Sequence, residues 1–271
     1  TVAVKRDYAE VNGTRLYYEI AGSGHPLCLI HGFGMDTQSW DYQFDALVKD
    51  YQVFRYDLRG FGKSSPPTDE TYAPLEDLQS LINYLGFETA HILGHSLGGF
   101  IAIDFALTHA ETTSSLILAD PAVGGFQWSK EVAEAFFVLP HKAANESGVS
   151  SARDALLHFP GFLPAMENPR AAPLFRRMIT DYSGWHWFHE NPVRSLDPPA
   201  LPRLGEINIP TLIVLGAENS SDHHKVAEVI NHGIKDSQLV LIPEAGHVLQ
   251  LEAPESFMQT VSDFLRTIQA T

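Results

Sequence analysis

A serine hydroxyl is a weak nucleophile until a base removes its proton. The first chemistry to look for is therefore a serine set clear of its neighbours and a histidine that can reach it. Ser96 meets the first condition. It stands in Gly94-His-Ser-Leu-Gly98, after the apolar run Ile92-Leu93 and before the helix-like run Phe100-Ile-Ala-Ile-Asp-Phe-Ala-Leu107. An apolar strand, a glycine-hinged turn and a helix are the context of a nucleophile elbow, which strains the serine and exposes its Oγ. Among 13 histidines, His247 is the best partner. It lies in Glu244-Ala-Gly-His-Val248, just past the last strand pattern, and the ligand groups of open parallel sheets collect at the carboxyl ends of strands. Acyl transfer also needs N–H donors for a developing oxyanion. The backbone N–H groups of Leu97, which opens the helix, and of Phe33, between Gly32 and Gly34, are the candidates. His31 and His95 flank the same place and suit backbone-positioning roles. His223, His224 and His232 fall on a polar helical pattern and read as solvated.

These residues need a frame that brings distant parts of the chain to one edge. Residues 1–24 alternate apolar and polar around Asn12-Gly13, the pattern of a β-hairpin. Short apolar strands follow at 27–30, 52–56, the stretch before Ser96, 115–119, 211–215 and 238–242. Helical patterns separate them at about 37–48, 75–85, 97–109, 225–231 and 254–268. Strands alternating with helices predict a parallel sheet covered on both faces, an α/β fold. The alternation stops near Val123. From 124 to 205 prolines cluster between helical segments and no strand pattern appears, so a helical insertion is expected there. The core is then residues 1–123 with 206–271.

Composition narrows the partners. The length, 271 residues, allows one large domain or a domain with an insertion. A net charge of −15 argues against nucleic acid and anionic membrane surfaces. A single cysteine, Cys28, inside an apolar run, excludes an internal disulfide and reads as a small buried hydrophobe. There is no basic-then-apolar leader pattern and no apolar run approaching about 18 residues, so a cytoplasmic location is expected. No paired His or Cys spacing suggests a metal, and no Lys or Arg cluster marks a nucleotide site.

With these pieces assembled, the sequence resembles the α/β-hydrolase family over nearly its whole length. The motifs that carry the resemblance are His31-Gly-Phe-Gly34, Asp57-Leu-Arg-Gly-Phe-Gly-Lys-Ser64, Gly94-His-Ser-Leu-Gly98, Ile209-Pro-Thr-Leu-Ile-Val-Leu-Gly216, and Gly246-His247 followed by Leu251-Glu-Ala-Pro-Glu-Ser-Phe257. The resemblance implies a mostly parallel sheet flanked by helices. It makes Ser96 the nucleophile, His247 the base and residues 124–205 a cap over the site. Asp57 and Arg59 would be structural members of their loop.

The sequence departs from the family at one place that matters. Relatives usually carry the triad acid three residues beyond the glycine that ends the seventh strand, and here that position is Asn219. An amide cannot stabilise an imidazolium as a carboxylate does; in a serine protease the Asp-to-Asn change costs about 10⁴ in rate. The loop from Gly216 to Lys225 also looks shorter than usual. Asp120, at the end of the sixth strand, resembles the arrangement in pancreatic lipases and certain haloalkane dehalogenases, which take their acid from that strand. It is the candidate acid. Glu218 and Asp222, in the altered loop, are the alternatives.

The insertion is rich in aromatic residues, most of them expected to form its own core and its seam with the sheet domain. Phe126, Trp128 and Trp185 are the candidates for lining an apolar substrate pocket. The expected activity is hydrolysis of a carboxylic ester of a small, largely apolar molecule through an acyl-enzyme, without a cofactor or metal. Lactone cleavage and carbon–carbon cleavage of a diketone use the same elbow and histidine. Asn219 also leaves open a small-ligand-binding protein with weak catalysis. Serine at the elbow counts against dehalogenase and epoxide hydrolase chemistry, in which relatives place aspartate there.

Overall fold

A computed structural model describes residues 1–269. Eight strands form one sheet: β1 (Val4–Val11), β2 (Thr14–Ala21), β3 (Pro26–Ile30), β4 (Gln52–Tyr56), β5 (Ala90–His95), β6 (Thr113–Ala119), β7 (Thr211–Gly216) and β8 (Gln238–Ile242). Their order across the sheet is β1-β2-β4-β3-β5-β6-β7-β8. The hairpin β1–β2 and the β2–β4 pair are antiparallel, and every pair from β4 to β8 is parallel. This is the fold class the sequence predicts. The reason is visible in the central strands: β5 and β7 are buried along their whole length, as continuous apolar runs must be when both faces of the sheet are covered.

Two apolar clusters supply that cover. One face packs Trp40, Phe44, Phe257, Val261 and Leu265 against Leu29, Leu93 and Val214. The other packs Leu78, Ile82, Ala102 and Phe105 against Ile30, Ile92 and Leu118. Cys28 is fully buried, and burial pushes its thiol well above the usual value.

Between β6 and β7 the described residues form helical segments from Lys130–Ala133 to Leu201–Glu206, with one isolated bridge from Val193 back to Tyr72. Element ends shift little from the sequence reading, with one exception. The helix expected at 225–231 spans Ser221–Gly233. Its true start is marked by Ser220, whose Oγ accepts from the His223 N–H at 3.3 Å as an N-cap. Among the described residues no helix is long and apolar enough to cross a membrane.

Candidate active site

The elbow is built by steric necessity. Ser96 sits at φ 53°, ψ −110°, a conformation costly for any residue with a Cβ. A Cβ on Gly94 would strike the carbonyl of Gly98, and one on Gly98 would strike that of Ile30 in β3. Both positions therefore demand glycine, because backbone must pass against backbone. The Ser96 N–H donates to the Ala119 carbonyl at 3.0 Å, and its own carbonyl accepts from Phe100 and Ala122 at 3.0 and 3.2 Å. The turn is thereby stitched to the end of β6.

His247 arrives from the loop after β8. Glu252 holds that loop by accepting from the N–H groups of Gly246 and Val248, each at 2.8 Å, on either side of the histidine. His95 lies 2.7 Å through Nε2 from the His247 carbonyl, the positioning role expected of it. The outcome is an Nε2 atom 2.9 Å from Ser96 Oγ, within hydrogen-bond reach for proton transfer. His247 is buried, and burial holds it well below the usual imidazole value, with His223 and His95 adding to the effect.

The Nδ1 side is less usual. Asn219 Nδ2 lies 2.9 Å from His247 Nδ1 and 3.1 Å from Asp120 Oδ1. Asp120 is completely buried, has φ 44°, and also accepts from the Gly216 N–H at 2.9 Å. Burial raises this carboxyl well above the ordinary range, partly offset by the Gly216 and Asn219 hydrogen bonds. The structure thus places Asp120 one amide away from the imidazole, with Asn219 in the direct position. Neither alternative acid joins this network. Glu218 is exposed, and Asp222 accepts from the Ser129 N–H at 2.7 Å instead.

Phe33 and Leu97 both line the cavity at Ser96. Among the described residues the backbone N–H of neither donates to a protein acceptor, which leaves both free for a ligand oxygen. Asp57 and Arg59 have structural partners. Asp57 accepts from the Thr37 and Lys63 N–H groups, and Arg59 pairs with buried Asp77 at 2.7 Å.

Above Ser96 is a cavity of about 240 Å³. Leu97, Phe100, Val123, Trp128, Phe136 and Phe159 supply its apolar wall, and His223 lines it beside His247. Two of the three aromatics expected here need correcting. Phe126 backs Trp128, ring to ring at 5.0 Å, without lining the cavity. Trp185 stacks on His189 at 4.9 Å, away from it. Trp187, two residues on, is the tryptophan that turns inward, 6.2 Å from the Phe33 ring.

The solvated reading of His223 also needs correcting. It is buried, with its ring 4.4 Å from that of His247 and Nδ1 2.7 Å from Ser220 Oγ, and burial lowers it to about 4. The signal that could have found it is the buried face of its helix, His223, Val226, Ala227 and Ile230. Starting that helix at 225 cuts His223 off from the periodicity that buries it.

A glycine-hinged serine, an imidazole and two free N–H groups on such a sheet define a recognised class. The sequence model described as alpha/beta hydrolase fold matches residues 25–254, and the chain belongs to that family. The proteins similar to it include hydrolases of several kinds. It is 28% identical over 280 residues to a 2-hydroxy-6-oxononadienedioate/2-hydroxy-6-oxononatrienedioate hydrolase of Comamonas testosteroni, covering 93% of this chain and 91% of the relative. The enol-lactonase from Burkholderia xenovorans superposes with a TM-score of 0.80 at 25% identity, covering 96% of this chain and 100% of that one. The esterase EaEST from Exiguobacterium antarcticum gives 0.79 at 26%, covering 96% and 98%.

Proposed function

We propose that this hydrolase cleaves carboxylic esters of small, largely apolar molecules through an acyl-enzyme. Ser96 Oγ attacks the ester carbonyl as its proton passes to His247 Nε2, and the N–H groups of Phe33 and Leu97 hold the oxyanion. The tetrahedral intermediate expels the alkoxide, which leaves as the alcohol with that proton. Water, deprotonated by His247, then attacks the acyl-enzyme and releases the acid. The scheme calls on no cofactor, and residues 124–205 act as the cap that closes an apolar pocket over the ester.

The observation that carries this reading is the 2.9 Å contact between Ser96 Oγ and His247 Nε2 on the floor of an apolar cavity. That the similar proteins include a lactonase and an esterase supports acyl transfer as the class of reaction. The test is a rapid-mixing assay with p-nitrophenyl butyrate: a burst of p-nitrophenol is expected from the protein and none from Ser96→Ala. A screen of esters against lactones and diketones ranks the substrates. Faster turnover of a diketone would reassign the reaction to carbon–carbon cleavage.

A second reading has one specific observation behind it, the amide at Nδ1 of His247. A site with that partner suits capture of a small ligand with slow turnover. Binding of an uncleaved ester without a burst would favour it.

A further inference from the structure

The side chain of Asn219 has three polar neighbours, and together they fix which way round it lies. Its Oδ1 accepts from the Ser220 N–H at 2.8 Å. Its Nδ2 lies between Asp120 Oδ1 at 3.1 Å and His247 Nδ1 at 2.9 Å. An amide nitrogen has two hydrogens and no free lone pair, so one hydrogen serves each of these acceptors. Reversing the amide would set Oδ1 against Asp120 Oδ1, which already accepts from the Gly216 N–H, and NH₂ against the Ser220 N–H, two repulsive contacts in a buried place. His247 Nδ1 is therefore an acceptor. A neutral imidazole carries one N–H, and here it is on Nε2, aimed at Ser96 Oγ.

We propose that Asp120 and Asn219 form a latch on the imidazole: Asp120 orients Asn219, and Asn219 holds His247 in the tautomer that donates to Ser96 instead of accepting from it. Asp120 is on this view a positioning residue that acts through Asn219. The latch rests on Ser96 and His247 being the reacting pair. Its consequence is slow resting turnover, because the proton transfer from Ser96 to Nε2 proceeds only from the minor tautomer, in which the imidazole proton has moved to Nδ1. The conventional partner, a carboxylate at 219, would accept an Nδ1–H and leave Nε2 free.

The experiment exchanges the two side chains. In Asp120→Asn/Asn219→Asp the residue at 219 accepts from both Ser220 and His247, and the amide at 120 faces it. Nitrogen-15 NMR of histidine-labelled protein reads the tautomer directly and needs no substrate. Protonated Nε2 is expected in the unaltered chain and protonated Nδ1 in the exchange variant. Turnover of p-nitrophenyl butyrate should rise about 10³–10⁴-fold in kcat with KM within threefold, the scale set by the reverse change in a serine protease. A second variant, Asn219→Ala, removes the donor, and it should shift the proton away from exclusive Nε2 occupancy. The unaltered chain showing Nδ1 protonated would overturn the latch. So would a folded exchange variant, judged by an unchanged melting transition, whose turnover falls. Loss of the Ser96-dependent burst would instead count against the ester reading, which the NMR measurement does not depend on.

Discussion

Two neighbouring strands, β5 and β6, end in the same unusual way and put the result to opposite uses. Ser96, at the end of β5, and Asp120, at the end of β6, are non-glycine residues at φ 53° and 44°. Each backbone N–H reaches across to the next strand, Ser96 to Ala119 and Asp120 to Val214. The elbow is hinged by glycines, so a helix can turn away at once and leave Oγ facing the cavity. The β6 turn runs from Ala119 into Pro121, and its carboxylate is driven beneath the histidine loop, completely buried. Backbone strain of about 1–3 kcal/mol at such residues persists only where the surroundings impose it. Here it presents a group to the cavity in one turn and props up a partner in the other.

That contrast can be broken experimentally. The largest effect is expected at the exposed end: Ser96→Ala and His247→Ala should each lower ester turnover by about 10²–10³-fold, the roughly 10⁶ scale for removing members of such a unit less the ~10³–10⁴ that the resting tautomer already withholds, measured as initial p-nitrophenol release. Next, Glu252→Ala frees the loop that carries His247. A fall of about 10–100-fold in kcat with KM nearly constant is expected, since misplacement by about 1 Å carries that penalty.

Replacing the two strained residues themselves by glycine separates their uses on the stability axis. Ser96→Gly relieves the positive φ, and the His247 Nε2 that it leaves lies at the cavity, where water can replace Oγ. Urea unfolding should give unchanged stability or a gain of about 1 kcal/mol once the flexibility of glycine is set against the strain. Asp120→Gly also relieves strain but orphans the Gly216 N–H, so a loss of about 1–3 kcal/mol is expected. Equal changes at both positions would erase the distinction.

The smallest effect is the position of the acid limb of kcat/KM. His247 is buried and held well below 6.5, so its basic form persists as pH falls. Activity should stay level down through pH 6.5 and decline only as pH drops through the depressed value. An acid limb at or above 6.5 would mean that the histidine is better solvated than its surroundings allow.

How much of this could be read beforehand depended on whether the relevant neighbours were adjacent in the chain. The elbow was legible because its strand, glycines and helix are consecutive, and the steric demand at Gly94 and Gly98 is local in sequence. The pairing of Ser96 with His247 was legible because parallel strands deliver their carboxyl ends to one edge. Trp185 and Trp187 were not separable. Two residues apart, they point to nearly opposite sides of a helical turn, and a four-residue segment has too little pattern to say which side is inward. His223 was lost to a helix start placed late.

The sequence alone determined the order of strands and helices, the glycine-hinged serine, and the absence of a carboxylate at position 219, since each of these depends on residue type and local spacing. Tertiary structure alone decided what takes the place of that carboxylate. Asp120 and Asn219 come from the ends of different strands, and which one meets Nδ1 is set by distances of about one side chain between β6, β7 and the histidine loop. A hydrogen-bond direction within that triangle depends on all three neighbours at once, and no stretch of chain contains them together.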